Sequence, residues 1–200
     1  MRRFTPGDLP PEAHALKIAR EVMGCYRLRG RKGVHDITAV EFYVSSPDHC
    51  DDANHCHPEQ LCYGRWYVHT AKNLVSFKAP RYSGLDLTLG NAAAGIHAGM
   101  LIRQLDHDGG SGKAIMKLVR GSGVGEGILP AGHPLLRWNA RELAFLNELQ
   151  GRDAFKAAIR LEPRRQPLDG EVVAKKRVGI AGTGQASALL HFAFRPHRPL

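Results

Sequence analysis

One acidic residue in the middle of an otherwise apolar stretch carries more chemical information than any other position in this sequence. Residues 37–44, Ile-Thr-Ala-Val-Glu-Phe-Tyr-Val, are rich in β-branched and aromatic side chains, which predicts a strand. Side chains alternate along a strand, so Val40, Phe42 and Val44 share one face and Glu41 and Tyr43 share the other. Burying a carboxylate there is costly unless it is paired. Two uses meet that condition. Glu41 can be a structural acid paired with Arg103 or a lysine, or it can be a general base that takes a proton and stabilises nearby positive charge. Strand-buried acids are rarely idle, which favours the second. Tyr43 and Tyr67 offer aromatic faces, with ordinary core packing as the rival role and the preferred one for Tyr67.

A polar loop over residues 45–63 holds His49, Cys50, Asp51, Asp52, His55, Cys56, His57 and Cys62. All these residue types bind zinc, but no cysteine pair has the C-x₂₋₄-C spacing that nucleates a structural site, so no metal is expected. Gly109-Gly110-Ser111-Gly112-Lys113 lacks the leading glycine spacing and the Ser/Thr after Lys of a phosphate-binding loop. Gly121 to Gly127 has alternating glycines with no helical pattern directly behind them, and reads as a loop that could face a backbone phosphate.

The elements that must position these residues follow from pattern. Glu12–Met23 has apolar residues at helical spacing, with Pro10-Pro11 before it and Gly24 as a stop. A short strand is expected around Cys25–Leu28, then a turn through Gly30–Gly33. A strand over Trp66–His69 leads into a hairpin tip near Ala71–Val75. Leu85–Leu89 and Met100–Leu105 are short apolar runs of strand length, and Ala114–Arg120 is a further strand candidate. Asn139 and Glu142 suggest a capping box for a helix reaching Gln150, followed by a shorter helix over Asp153–Leu161. The chain then runs through a turn-rich stretch, Arg164–Gly170, into strands near Val178 and Leu189–Arg195.

Several of these pieces, in order from about residue 16 to 195, resemble the alkyladenine (3-methyladenine) DNA glycosylase family. Ala19-Arg20-Glu21-Val22-Met23-Gly24 is similar to that fold's opening helix. Val40-Glu41-Phe42-Tyr43 resembles the strand with the catalytic Glu and a stacking Tyr. Asp52-Ala53-Asn54-His55 resembles the loop with a base-contacting His, and Gly64–His69 the strand entering the DNA-probing hairpin. Met100-Leu101-Ile102-Arg103 and Lys176-Arg177-Val178-Gly179-Ile180 are similar to the segments that hold the attacking water.

The resemblance implies an α+β fold in a single domain: a curved, mostly antiparallel sheet, or partly open barrel, with flanking helices and a protruding β-hairpin. It implies Glu41 as the base, Arg103 and the Val178 carbonyl orienting the water, and Tyr43, His55 and His69 sandwiching an extruded base. Extrusion is required because a base cannot be reached inside a duplex. Asp86 stands where the family usually has an Asn that screens out normal guanine, and His69 where it usually has a second Tyr. The family's Gly-Pro-Ser segment is Gly121-Ser122-Gly123 here, and the hairpin tip has no aromatic wedge, leaving Leu74 as the apolar candidate. Lys72, Lys78 and Arg81 flank that tip and are expected on the nucleic-acid backbone.

Composition fits these expectations. A chain of 200 residues with 43% hydrophobic and 24% charged residues can bury a core without disulfides or metal. Its net charge of +9 favours polyanions, with DNA the expected partner. No apolar run is long enough to span a bilayer, and Met1-Arg2-Arg3 is not followed by an apolar signal region, so a cytoplasmic monomer without a cofactor is expected. Base release from DNA is the leading expectation. The alternatives are an N-glycosidase acting on a free nucleoside-like molecule and a non-enzymatic nucleic-acid-binding module.

Overall fold

In the computed structural model, residues 1–30, 33–70, 83–122, 159–177, 180 and 190–197 are described, with the backbone alone for 68–70, 83, 115, 116 and 119–122. The expected helix over 139–150, the hairpin tip with Lys72, Leu74, Lys78 and Arg81, the Gly123–Gly127 part of the glycine loop, and Val178 lie outside the described residues.

The architecture is α+β: an antiparallel sheet curled into a half-barrel, with helices against it. Helix α1 (Glu12–Cys25) leads directly into β1 (Tyr26–Gly30) and β2 (Gly33–Ser45). Strands β3 (Tyr63–Thr70), β4 (Ser83–Leu89) and β5 (His97–Leu105) follow, then helix α2 (Ser111–Ser122). Strands β6 (Arg160–Pro163), β7 (Gly170–Lys175) and β8 (His191–Pro196) bring the sheet to eight strands among the described residues. The order is β3-β4-β5-β2-β1-β6, with β8 pairing both β2 and β7.

β2 is the axis of the molecule. One edge pairs with β5 from Ile37 to Ser45. The other edge pairs first with β1, up to Asp36, and then with β8 across Ala39, Val40 and Glu41. The alternation read from the sequence holds: Val40, Phe42 and Val44 are buried in the apolar core with Met100, Ile102, Leu85, Leu87 and Phe192. Ala15, Ile18, Ala19, Val22 and Met23 of α1 close that core from above. Phe42 makes edge-to-face contacts with Phe4 and Phe192, centroids 6.4 and 5.7 Å away, the geometry aromatic quadrupoles prefer.

Three expectations are corrected. Gly24 does not stop α1; the helix runs on to Cys25 and ends where Tyr26 turns extended (φ −126°, ψ 159°), because the chain passes straight into a strand. Residues 114–120 are helical, not a strand. Gly110 (φ +91°) breaks the chain after β5, and Ala114 and Leu118, one helical turn apart, bury into the core while Lys113 is exposed. Leu161 belongs to β6, paired with Leu28, rather than to the end of a helix.

Candidate active site

The face of the sheet opposite the apolar core is polar, and register aligns its residues. Tyr67, Asp86, Leu101, Glu41 and His191 are successive cross-strand partners on β3, β4, β5, β2 and β8. A second row runs through Thr88, Gly99 and Tyr43. Glu41 is 0% exposed and Asp86 1% exposed. Two carboxylates buried on one sheet face demand compensation.

Compensation for Glu41 comes from both sides. The Tyr43 hydroxyl, two residues along the same strand, donates to Oε2 at 2.9 Å. Arg103 Nε lies 3.7 Å from Oε1. Arg103 reaches it because it is the extra residue of a β-bulge: Val40 pairs with Ile102 and Ala39 with Gln104, so Arg103 has no partner in the ladder. Bulges re-aim side chains in this way and are common beside active sites. The imidazole Nδ1 of His191, directly across from Glu41 on β8, lies 3.1 Å from the same oxygen, Oε1. Burial, and then the neighbouring Glu41 carboxylate, hold the Tyr43 phenol above its ordinary pKa, so it stays a neutral donor.

Beside this cluster lies a cavity of about 80 Å³ lined by Tyr43, Ala53, His55, Gln60, Asp86 and Ile180. Gly99 makes room for its wall. A Cβ on Gly99 would come within 2.9 Å of Asp86 Oδ2 and 3.1 Å of Gln60 Nε2. Glu41 is not among the lining residues; it sits behind Tyr43, whose ring belongs to the cavity and whose hydroxyl touches the acid.

His55 is held in the cavity wall by its loop. Asp51 starts that loop and accepts from the backbone amides of Val44 (3.3 Å) and Ala53 (3.1 Å). Arg177 clamps the Asp51 carboxylate with two bonds of 2.6 and 3.0 Å, both side chains essentially inaccessible. The same guanidinium lies 5.0 Å from the centroid of the Tyr43 ring and donates to the Phe42 carbonyl at 3.3 Å. Asn54 donates to the His97 carbonyl at 3.1 Å, and Gln60 accepts from His57 N at 2.9 Å. His57 stacks on Tyr67 with centroids 4.6 Å apart, and burial lowers its pKa.

Of the residues singled out from the sequence, Glu41, Tyr43, His55, Asp86 and Arg103 converge on this region. His69 lies on β3 opposite Gly84, without its side chain described. Val178, Lys72, Lys78 and Arg81 fall outside the described residues.

Arg177, Asp51, Gln60 and His191 escaped the sequence reading. A signal existed for His191. In His-Phe-Ala-Phe, alternation sends Phe192 and Phe194 to the core and His191 to the polar face, the logic that found Glu41.

Among the described residues no group of three or more His, Cys, Asp or Glu side chains is arranged to hold a metal ion, and the cysteines described are free thiols. Elemental analysis of purified protein is expected to find no stoichiometric zinc. One equivalent of metal, lost in Cys56→Ser, would overturn that expectation and make His55 a ligand.

No protein-family model matches the chain. A stretch of 54 residues, 27% of the chain, is 37% identical to "Uncharacterized protein L759" of Acanthamoeba polyphaga mimivirus, and that stretch covers 24% of the mimivirus protein.

Proposed function

We propose that this protein hydrolyses N-glycosidic bonds in DNA, releasing a damaged or modified base that has been swung out of the stack. The observation that carries the reading is Glu41: a fully buried acid, held by a phenol on one oxygen and by Arg103 near the other, directly behind a cavity walled by Tyr43 and His55.

Departure of the base leaves positive charge on the sugar, and water must be delivered to C1′ as that charge develops. A carboxylate beside the reaction can take the proton from the water and stabilise the oxocarbenium-like transition state. Glu41 is fully buried behind Tyr43, so the Tyr43 side chain has to move before a water can reach the carboxylate. Catalytic hydrogen bonds commonly rearrange between the free protein and the substrate complex. The ring faces of Tyr43 and His55 supply stacking surface for a flipped base. The Asp86 carboxylate and the Tyr43 π-face both favour a cationic one, such as an alkylated purine.

The direct test is base release by the wild type. The substrates are duplex and single-stranded DNA carrying 3-methyladenine, hypoxanthine or ethenoadenine, and free nucleosides. Release of the cationic 3-methyladenine from DNA is the expected result. Binding to duplex should also fall steeply with salt, by anisotropy, because lysines and arginines displace condensed counterions. Substituting Lys72, Lys78 or Arg81 should shallow that slope. Turnover of free nucleosides alone, with no nucleic-acid binding at low salt, would replace DNA by a small-molecule substrate.

A further inference from the structure

One neighbour of Glu41 on the polar face has no part in the reaction proposed above. His191 lies opposite Glu41 in the β2–β8 ladder, and its Nδ1 is 3.1 Å from Glu41 Oε1. Its side chain is 12% exposed and the acid's 0%. Nδ1 itself is buried and makes no aligned hydrogen bond among the described residues, so the 3.1 Å contact is a close electrostatic approach. A carboxylate that acts as a general base is ionised and only accepts, so an imidazole nitrogen that holds it carries the hydrogen. Buried donors without a partner are costly, and Oε1 lies within reach.

From this geometry we infer that His191 is the positioning residue for Glu41: its Nδ1–H holds Oε1 and so fixes the rotamer in which Glu41 acts. It completes an arrangement in which a base is oriented by a third group that does not touch the substrate. Tyr43 and His191 then hold one oxygen each. When substrate displaces the Tyr43 hydroxyl, His191 and Arg103 remain to keep the carboxylate from swinging away. The role in turnover rests on the proposed function; the His191–Glu41 contact does not.

The test therefore has an arm that needs no activity. Long-range ¹H–¹⁵N spectra of wild-type protein with labelled histidine should show His191 with its hydrogen on Nδ1. In protein with labelled glutamate, the Glu41 ¹³Cδ resonance should move in His191→Leu and stay near its wild-type position in His191→Asn, whose side-chain amide nitrogen falls close to Nδ1.

In the base-release assay, His191→Leu should lose roughly 10- to 100-fold in kcat with KM little changed, the scale of a lost orienting partner. His191→Asn should recover most of it, and Glu41→Gln/His191→Leu should be no slower than Glu41→Gln. A purely structural role would lower the melting temperature of both His191 variants without separating them in kcat. A hydrogen on Nε2 with Nδ1 bare in the wild type, or an unmoved Glu41 signal in His191→Leu, overturns the inference. The wild-type spectrum decides even if His191→Leu does not fold. Absence of any base release with the expected spectra would count against the proposed function and leave the His191–Glu41 contact standing.

Discussion

Glu41→Gln is expected to bind abasic-site or alkylated DNA with near-normal affinity and to lose nearly all turnover. The amide has the size of the acid, and its oxygen can still accept from the Tyr43 hydroxyl that now bonds Oε2. What it cannot do is take a proton or offset the positive charge that grows on the sugar. A general base contributes about 10²- to 10⁴-fold, so the loss in single-turnover rate should be unmistakable. Arg103→Ala should also slow the reaction. Because Arg103 lies against the same carboxylate, the double variant should fall by less than the product of the two losses. The measurement is base release under single-turnover conditions alongside a binding isotherm for each variant. A wild type that releases base while Glu41→Gln does so equally well sinks the assignment. Equal loss of binding and rate would instead make Glu41 a structural acid.

How far the sequence led can be seen from individual residues. Glu41 and its separation from the core were legible because strand alternation is local: only the identities of residues 37–44 were needed. The fold class was implied by the family resemblance that these short segments carry in their order, and the curled antiparallel sheet agrees with it. The α2 helix was misread because five of the seven residues in Ala114–Arg120 are apolar, and a short apolar run does not distinguish helix from strand.

The partners of Glu41 belong to a different category. That Arg103 reaches it depends on a bulge in the β2–β5 ladder, and that His191 faces it depends on β2 exchanging β1 for β8 halfway along. Both are facts of long-range register, which no window of sequence contains. The cavity has the same origin, since Gly99, Asp86 and Gln60 come together only when β4, β5 and the loop before β3 are assembled. Gly99 carried the one local hint: a glycine inside a strand pattern marks close approach of another group.

Arg177→Met is expected to be the most destabilising single change in this region. The guanidinium and the Asp51 carboxylate are 0% and 1% exposed and joined by two hydrogen bonds. Methionine keeps much of the volume and removes the charge, stranding Asp51 with only the amides of Val44 and Ala53 among its described donors. Removing one member of a buried pair costs about 3–5 kcal/mol, because the remaining ion has lost its compensation. In a chain of this size that corresponds to a fall in melting temperature of roughly 6–20 °C. Replacing both members, as in Asp51→Leu/Arg177→Met, removes the stranded charge and should recover much of the loss, since a buried pair is often little better than its apolar replacement. The two singles and the double form a cycle that calorimetry or chemical denaturation can close. The local consequence differs from the global one. Asp51 opens the loop that carries His55, and Arg177 lies against the Tyr43 ring, so the double variant should be stable yet hold both cavity walls less firmly. It should show weaker substrate binding even after its melting temperature has returned. A loss below about 1 kcal/mol for Arg177→Met would mean that solvent reaches the pair and that the loop is held by its backbone bonds alone. A double variant as unstable as the single would place the cost in lost packing around Tyr43 rather than in the stranded charge.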